Sequence, residues 1–436
     1  MSTRKAFRGT LVDFTDDPRA AAGALRHIED GLLVVNDGRV ESIGPAAAGL
    51  AALPAGTPVA DHSGSLILPG FIDAHVHYAQ TDVIASHGKQ LLDWLTDYTF
   101  PAEGRFADAA HAAMVAEFFL DEILKNGTTS AAVFPTVHPQ SVDAFFSAAQ
   151  KRGLRMIAGK VMMDVNAPDP VRDEAEQSYA DSKALIERWH GRDRLLYAVT
   201  PRFAATSTER QLQLAGQLLD EHPGMHMQTH LAENHDEIKW VAELFPWSKS
   251  YLGIYEKFGL VRENALYAHS IHLSPADWQT MARAGAAAVH CPTSNLFLGS
   301  GLFNLDAANA SGTAVALATD VGGGTSFSML RTMHEAYKVA QMGHRPFTSL
   351  DGFYLATLGG ARSLGLADKI GNFNPGKEAD FIVLSPKATP LIERRYGLAT
   401  DIAQKLFVMM MLGDERAVAA TYILGEPARL ASARAQ

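Results

Sequence analysis

The chain has 436 residues, of which 47% are hydrophobic and 20% are charged, and its formal net charge is −10. This composition predicts a globular protein with one large domain and at most a small satellite, and the acidic balance without a basic cluster argues against nucleic acid as a partner. No apolar run approaches the roughly 18 residues that cross a bilayer, no signal peptide is recognisable, and the lone cysteine, Cys291, suits a cytoplasmic protein.

The first predicted element is a β-hairpin near the N-terminus. Residues 31–44 contain two segments of alternating apolar and polar residues, as in β-strands, on either side of Asp37-Gly38, a dipeptide typical of tight hairpin turns. We therefore expect the N-terminal segment to belong to a small β domain.

Eight short strand candidates follow one another through the middle of the chain. Helical segments with a 3.6-residue period separate most of them, for example residues 107–126 and 275–285. Repeated alternation of strand and helix predicts a parallel sheet, either a closed (β/α)8 barrel or an open doubly wound sheet. The predicted strands are residues 66–77, 127–134, 155–163, 195–201, 225–230, 265–269, 286–290 and 313–320.

The C-terminal segment again predicts strands, at residues 379–384 and 418–424. Between them, residues 398–411 predict a helix whose apolar run belongs either to the core or to a subunit interface. We predict a small β-sandwich domain formed by residues 1–65 and 375–436, beside a barrel domain formed by residues 66–374.

Histidines and one aspartate stand where predicted barrel strands end. His75 and His77 alternate on the first strand, so their imidazoles point to the same face. His230, His269 and Asp320 close the fifth, sixth and eighth strands. A closed barrel brings these ends to one mouth, whereas an open sheet would spread them apart, which favours the barrel. Each residue alone has an ordinary structural explanation, but together they predict a metal-dependent hydrolase, because imidazole and carboxylate suit zinc and bound zinc makes hydroxide available near neutral pH.

Glu233 is the candidate proton shuttle. It follows His230 by three residues, close enough to reach both a metal-bound water and a substrate atom. Its alternative role is to place a negative charge at the start of the helix predicted over residues 234–244. His269 is either a metal ligand or a hydrogen-bonding partner of the attacking water, and the sequence leaves both roles open.

The run Pro69-Gly-Phe-Ile-Asp-Ala-His-Val-His77 is similar to the first-strand signature of the amidohydrolase superfamily. Within that superfamily the chain most resembles the guanine deaminase family, with matching stretches from about residue 30 to 385. The most specific of these are Trp-Leu-Thr-Asp-Tyr-Thr-Phe-Pro-Ala-Glu, ending at residue 103, and Thr-Pro-Arg-Phe, ending at residue 203. Ala74 and Ala79 depart from the residues expected in close relatives, and neither is a candidate ligand.

The resemblance implies zinc-dependent hydrolytic deamination of guanine to xanthine and ammonia in purine catabolism or salvage, by a homodimeric enzyme. It implies one zinc ion, because a second metal usually requires a bridging lysine and Lys160 is the only lysine in the third or fourth strand. The implied zinc ligands are His75, His77, His230 and Asp320. The implied catalytic residues are Glu233, His269 and Asp320, and the implied purine contacts are Gln80, Trp94, Arg202, Phe203 and Glu233.

Two other functions stay open. An amidohydrolase acting on a related amino-substituted ring, such as an oxidised purine, a pterin or an aminotriazine, would use the same metal site, and Arg202 with Phe203 argues for guanine instead. A metal-free relative that kept only the barrel would have lost ligands, whereas every candidate ligand is present. The cytidine-deaminase design is excluded, because one cysteine cannot supply its paired cysteine ligands. We assign His290, beside Cys291, a structural role.

Overall fold

The computed structural model describes residues 4–430, and none of the helices in that range is long and apolar enough to span a membrane. Its strands are β1 (Lys5–Phe14), β2 (Leu25–Asn36), β3 (Arg39–Pro45), β4 (Val59–Pro69), β5 (Phe71–His77), β6 (Thr128–Phe134), β7 (Arg155–Ala158), β8 (Val161–Met162), β9 (Leu195–Pro201), β10 (His226–Leu231), β11 (Ala265–His269), β12 (Ala287–His290), β13 (Ala314–Leu317), β14 (Phe381–Leu384), β15 (Val418–Ile423) and β16 (Glu426–Leu430).

The α-helices pack around these strands. They are α1 (Ala46–Ala52), α2 (Leu91–Trp94), α3 (Phe100–Gly104), α4 (Ala109–Lys125), α5 (Pro139–Lys151), α6 (Ala175–Trp189), α7 (Glu209–Glu221), α8 (His235–Leu244), α9 (Tyr251–Lys257), α10 (Pro275–Ala284), α11 (Pro292–Phe297), α12 (Leu305–Ser311), α13 (Met329–Met342), α14 (Ser349–Leu355), α15 (Leu358–Ser363), α16 (Pro390–Gly397) and α17 (Ile402–Leu412). A π-helical turn, Leu95–Thr99, joins α2 to α3.

Eight parallel strands form the predicted barrel, in the order β5-β6-β7-β9-β10-β11-β12-β13, with β8 beside β9. Two backbone hydrogen bonds connect the last strand region to the first. The Asp320 N–H donates to the His75 carbonyl at 3.0 Å, and the His77 N–H donates to the Val321 carbonyl at 2.9 Å. The closed-barrel prediction is confirmed, and all strand C-terminal ends meet at one mouth.

The first predicted strand, residues 66–77, is two strands in the structure. The break falls at Gly70, between β4 and β5. A Cβ atom at Gly70 would stand 2.0 Å from the Thr129 hydroxyl oxygen, so only glycine allows the chain to pass there. The part before the break therefore joins the terminal sheet, and only the part after it joins the barrel.

The N- and C-terminal segments meet in one seven-stranded sheet, in the order β16-β15-β14-β4-β1-β2-β3. Only β1 and β4 pair in parallel. Its core includes the stacked rings of Phe381 and Tyr422, whose centroids lie 4.5 Å apart. The apolar run of α17 contributes Met409 and Met410 to the buried core, as the core interpretation predicts. We propose residues 1–65 and 375–436 as the small domain, extended to residue 69 because the end of β4 pairs with β14 in this sheet. Residues 1–3 and 431–436 lie outside the described residues.

Buried ion pairs join this sheet to the end of the barrel opposite the mouth. Glu378 accepts from Arg155 Nε at 2.7 Å and lies 3.5 Å from Arg194 Nε, and Arg194 also pairs with Asp380. Burial alone would raise the pKa of Glu378, but the two guanidinium groups lower it. The carboxylate is therefore charged in the folded protein and compensates two buried cations.

We expect Glu378→Gln to lower the free energy of unfolding by about 3–5 kcal/mol, because it leaves the buried Arg155 guanidinium without its carboxylate, while Arg194 keeps Asp380. Denaturant unfolding followed by circular dichroism measures the change. The control is Glu426→Gln, whose ion pair with Lys5 is exposed and contributes at most about 1 kcal/mol. Equal losses in the two variants would contradict the assigned role of Glu378.

Candidate functional site

Four of the predicted residues converge at the barrel mouth. His75 and His77 come from β5, His230 comes from β10, and Asp320 follows β13. The Nε2 atom of His77 lies 3.2 Å from Nε2 of both His75 and His230. Asp320 Oδ1 lies 3.2 Å from His75 Nε2 and 3.5 Å from His77 Nε2. Side chains that are far apart in sequence thus direct their ligand atoms to one point.

The chemistry of this donor set fits a metal ion. The His230 Nδ1–H donates to the Arg202 carbonyl at 2.7 Å, and a carbonyl only accepts, so Nε2 of His230 carries the free lone pair. Burial, with the neighbouring His75, holds the pKa of both His77 and His230 well below the usual range, which keeps their imidazoles neutral. Two nitrogen ligands of tetrahedral zinc stand about 3.3 Å apart, close to the separations of these atoms. Lone pairs that face each other at this distance call for a cation between them.

The backbone at the strand ends adopts a rarely occupied conformation. Ala232, His269, Ser270 and Asp320 have φ angles of 48°, 69°, 49° and 50°. Non-glycine residues occupy this left-handed region at an energetic cost and cluster at functional sites. All four lie at or next to predicted site residues, so the strained turns help to aim those side chains into the mouth.

Glu233, His269 and Asp320 form a second group beside the first. His269 Nε2 lies 3.4 Å from Glu233 Oε2 and 3.7 Å from Asp320 Oδ2. Burial raises the pKa of Glu233 to about 7. Burial opposes the charge on His269, but the carboxylates of Glu233 and Asp320 outweigh it and raise the pKa of His269. A carboxyl group whose pKa lies near neutrality can both take up and release a proton there.

The carboxylate that contacts the start of helix α8 belongs to Glu237 and not to Glu233. Asn234 caps α8, and Glu237 accepts from the backbone N–H groups of Glu233 and Asn234 at 2.9 and 3.1 Å. Tyr251 donates its hydroxyl to the other Glu237 oxygen at 2.7 Å. The side chain of Glu233 is thus left to point into the site, where Ser300 Oγ donates to its Oε1 at 2.9 Å.

A cavity opens over these groups. Every predicted purine contact lines it, together with Leu91, Leu95 and Leu298, which make an apolar wall. The predicted contacts are Gln80, Trp94, Arg202, Phe203 and Glu233. An apolar cavity with a few convergent polar groups is the usual form of a small-molecule site.

Glu103 and Ser300 contact predicted site residues but carried no role in the sequence prediction. Glu103 is buried and accepts from Arg202 Nη1 at 2.6 Å and from Gln80 Nε2 at 3.1 Å. Ser300 is the hydroxyl partner of Glu233. Glu103 ends one of the family-specific stretches, so its position was visible, but its partners are distant in sequence. Ser300 lies in a loop without any periodic signal.

Three other residues considered in the sequence, Lys160, His290 and Cys291, make contacts that account for their burial. Lys160 is fully buried, and its amino group contacts Asp173 and the Ser178 hydroxyl instead of the candidate metal ligands. The His290 ring stacks on Phe303 with centroids 4.6 Å apart, and burial lowers the pKa of His290 to about 3. Cys291 is buried, with its thiol 3.6 Å from the Val289 carbonyl.

Comparison with known proteins matches residues 66–427 to the amidohydrolase family. The chain belongs to the amidohydrolase family. It is 51% identical to guanine deaminase of Escherichia coli (strain K12) over 97% of both chains. The solved E. coli guanine deaminase superposes with a TM-score of 0.96, at 50% identity over 98% of this chain and 99% of that chain. Guanine deaminase from C. acetobutylicum, solved with guanine bound in its active site, has a TM-score of 0.87 at 29% identity, covering 97% and 99% of the two chains.

These matches confirm the resemblance predicted from the sequence. The matches to these relatives cover nearly the whole chain, including the terminal segments, so the likeness is not limited to the histidine motifs. The protein is therefore an enzyme of the hydrolase class, and its barrel with an attached terminal sheet is the fold of its relatives.

Proposed function

We propose that this amidohydrolase converts guanine and water to xanthine and ammonia. The observation that carries the proposal is that one cavity joins the His and Asp cluster to a wall formed by Gln80, Arg202 and Phe203. The cluster suits hydrolysis and the wall suits a planar, polar ring. The guanine deaminases among the relatives support the choice of substrate.

We propose one zinc ion per chain, held by His75, His77, His230 and Asp320. When bound, zinc lowers the pKa of a coordinated water to about 7 and so supplies hydroxide near neutral pH. The engagement of Lys160 with Asp173 and Ser178 supports one metal over two, because no lysine of the third or fourth strand is left to bridge a pair.

Glu233 moves the protons in this mechanism. Its carboxyl, with a pKa of about 7, takes a proton from the attacking water, passes it to the ring nitrogen, and then assists the departing amine. Burial of its side chain keeps the transfer away from bulk water. His269 and Asp320 orient the water, since His269 Nε2 lies between the carboxylates of Glu233 and Asp320.

The purine is held by the cavity wall that Gln80, Arg202 and Phe203 form. Arg202 donates to the ring carbonyl, a planar donor facing a planar acceptor. Phe203 and Trp94 supply aromatic surface for the ring faces, and both are buried at the cavity. This arrangement points the amino-bearing carbon of guanine toward the metal ligands.

A substrate panel tests the proposal. The purified enzyme is incubated with guanine, 8-oxoguanine, a pterin and an aminotriazine, while ammonia release is measured and the guanine product is identified. We expect rapid ammonia release and xanthine from guanine. Intact guanine alongside deamination of another ring would overturn the substrate and favour the related-ring alternative.

Ser300 tunes the proton shuttle. Its hydrogen bond stabilises the charged form of Glu233, so Ser300→Ala should raise the pKa of Glu233 further. We expect the acidic limb of the kcat profile to move to higher pH by roughly half a unit to one unit. Ser311→Ala, which changes a hydroxyl remote from the cavity, is the control. An unmoved acidic limb would refute this role of Ser300.

We also propose that the enzyme is a cytoplasmic homodimer. Its only cysteine, Cys291, is a buried free thiol, which suits a reducing compartment. The dimer follows from the family resemblance, and light scattering after size-exclusion chromatography tests it. A monomer at micromolar concentration would contradict it.

A further inference from the structure

Glu103 joins the two polar groups that face the purine. Its side chain is 1% exposed, on α3 beside the cavity. One carboxylate oxygen accepts from Arg202 Nη1 at 2.6 Å and the other accepts from Gln80 Nε2 at 3.1 Å. A single buried carboxylate therefore fixes the position of both side chains.

These contacts also fix the polarity of Gln80. Its Oε1 accepts from the Gly322 N–H at 3.2 Å while its Nε2 donates to Glu103, so neither end of the amide can exchange with the other. The second hydrogen on Nε2 is left for a ligand. Arg202 has donors only, and among residues 4–430 its guanidinium makes its side-chain hydrogen bond with Glu103 alone. The wall therefore presents N–H groups to the cavity.

The negative charge of Glu103 stabilises the buried guanidinium of Arg202, and so allows a cavity wall that consists of N–H donors. Arg202 is 2% exposed, and a buried guanidinium without a nearby carboxylate is strongly disfavoured. The Phe100 ring lies 5.4 Å from Arg202 Cζ and packs against it, which restricts the guanidinium further. A neutral amide at position 103 would have one acceptor for two donors.

We propose that Glu103 is a positioning residue that sets substrate specificity by making this wall a donor-only surface. Such a surface selects purines with a carbonyl at the 6-position, whose oxygen has two lone pairs to accept from Gln80 and Arg202, and it rejects purines with a 6-amino group, whose N–H would face another N–H. The inference rests on the proposed function for the identity of the ring and deepens it by naming the 6-oxo purines as the class admitted. Sites built to hydrogen-bond a group discriminate strongly against analogues that lack it.

Binding of two unreactive purines tests this directly. Hypoxanthine and adenine both lack the 2-amino group. Hypoxanthine has a 6-oxo group and adenine has a 6-amino group. Calorimetry measures the affinity of each for the metal-loaded enzyme. We expect the wild type to prefer hypoxanthine by at least about 10²-fold. Glu103→Gln should reduce this preference at least about tenfold, whereas Glu103→Asp, which keeps both acceptors, should retain more of it.

The matched control is Glu378→Gln, which removes another buried carboxylate paired with arginine, but far from the cavity. It should keep the wild-type preference. With guanine as substrate, Glu103→Gln should raise KM more than it lowers kcat and should leave the pH profile unmoved, since Glu233 is untouched.

An unchanged hypoxanthine preference in Glu103→Gln, or an equal change in Glu378→Gln, would overturn the proposal. If Glu103→Gln does not fold, the wild type still decides, because similar affinities for hypoxanthine and adenine would contradict a donor-only wall. Ammonia release from guanine by the wild type is scored separately. Its absence would refute the proposed function, while the binding preference would still report on Glu103.

Discussion

Changing Glu233 to Gln is expected to reduce kcat at least about 10²-fold while the metal stays bound. The amide has nearly the same shape, so it preserves packing around the site, but it cannot accept and release a proton near neutral pH. Glu233 lies outside the group of His75, His77 and Asp320, whose ligand atoms could hold a metal ion, which is why metal content should not fall. Its position, 3.4 Å from His269 Nε2, makes it the carboxylate nearest to that imidazole.

The matched control for this experiment is Glu243→Gln, an exposed glutamate on the helix that follows Glu233. Steady-state kinetics with guanine and metal analysis of the same preparations give both readouts. Near-normal turnover in Glu233→Gln would remove its role as proton shuttle. A fall in metal content together with turnover would instead make it part of the metal site.

The second large effect is expected at a metal ligand. His77 has the most central ligand atom, because its Nε2 lies 3.2 Å from the Nε2 atoms of both His75 and His230. His77→Ala should lose most of the bound metal and reduce kcat at least about 10³-fold, since unassisted water has a pKa of 15.7 and supplies almost no hydroxide at neutral pH.

The control is His290→Ala, which removes another buried histidine at a barrel strand end but one that packs on Phe303. Elemental analysis after gel filtration should find wild-type metal content in His290→Ala and little in His77→Ala. Retention of stoichiometric metal by His77→Ala would contradict its assignment as a ligand.

The sequence predicted the barrel because its periodicity is local. The predicted strands over residues 195–201 and 265–269 have the same bounds in the structure. Breaks within strands were missed where they depend on distant neighbours. The predicted strand over residues 155–163 is broken after Ala158, where the chain passes so close to Ala198 that a Cβ at Gly159 would stand 1.7 Å from its carbonyl oxygen. No pattern within that segment contains this information.

The candidate site was likewise predictable only in part. The placement of His75, His77, His230 and Asp320 follows from strand ends that a barrel must bring together. The ion pair between Arg202 and Glu103 could not be predicted in this way, because Glu103 is 99 residues away and lies on a helix that packs over the mouth. Glu237 was likewise hidden, because an acidic residue in a first helical turn is common and its contact with the Glu233 N–H depends on the exact course of the turn.

The central claim is that one metal ion in this cluster enables guanine deamination. The most direct test is to strip the enzyme with a chelator and titrate it with zinc while ammonia release from guanine is measured. We predict negligible activity without metal and a linear rise that ends at one equivalent per chain. Full activity in metal-free enzyme, or a rise that continues to two equivalents, would contradict the account.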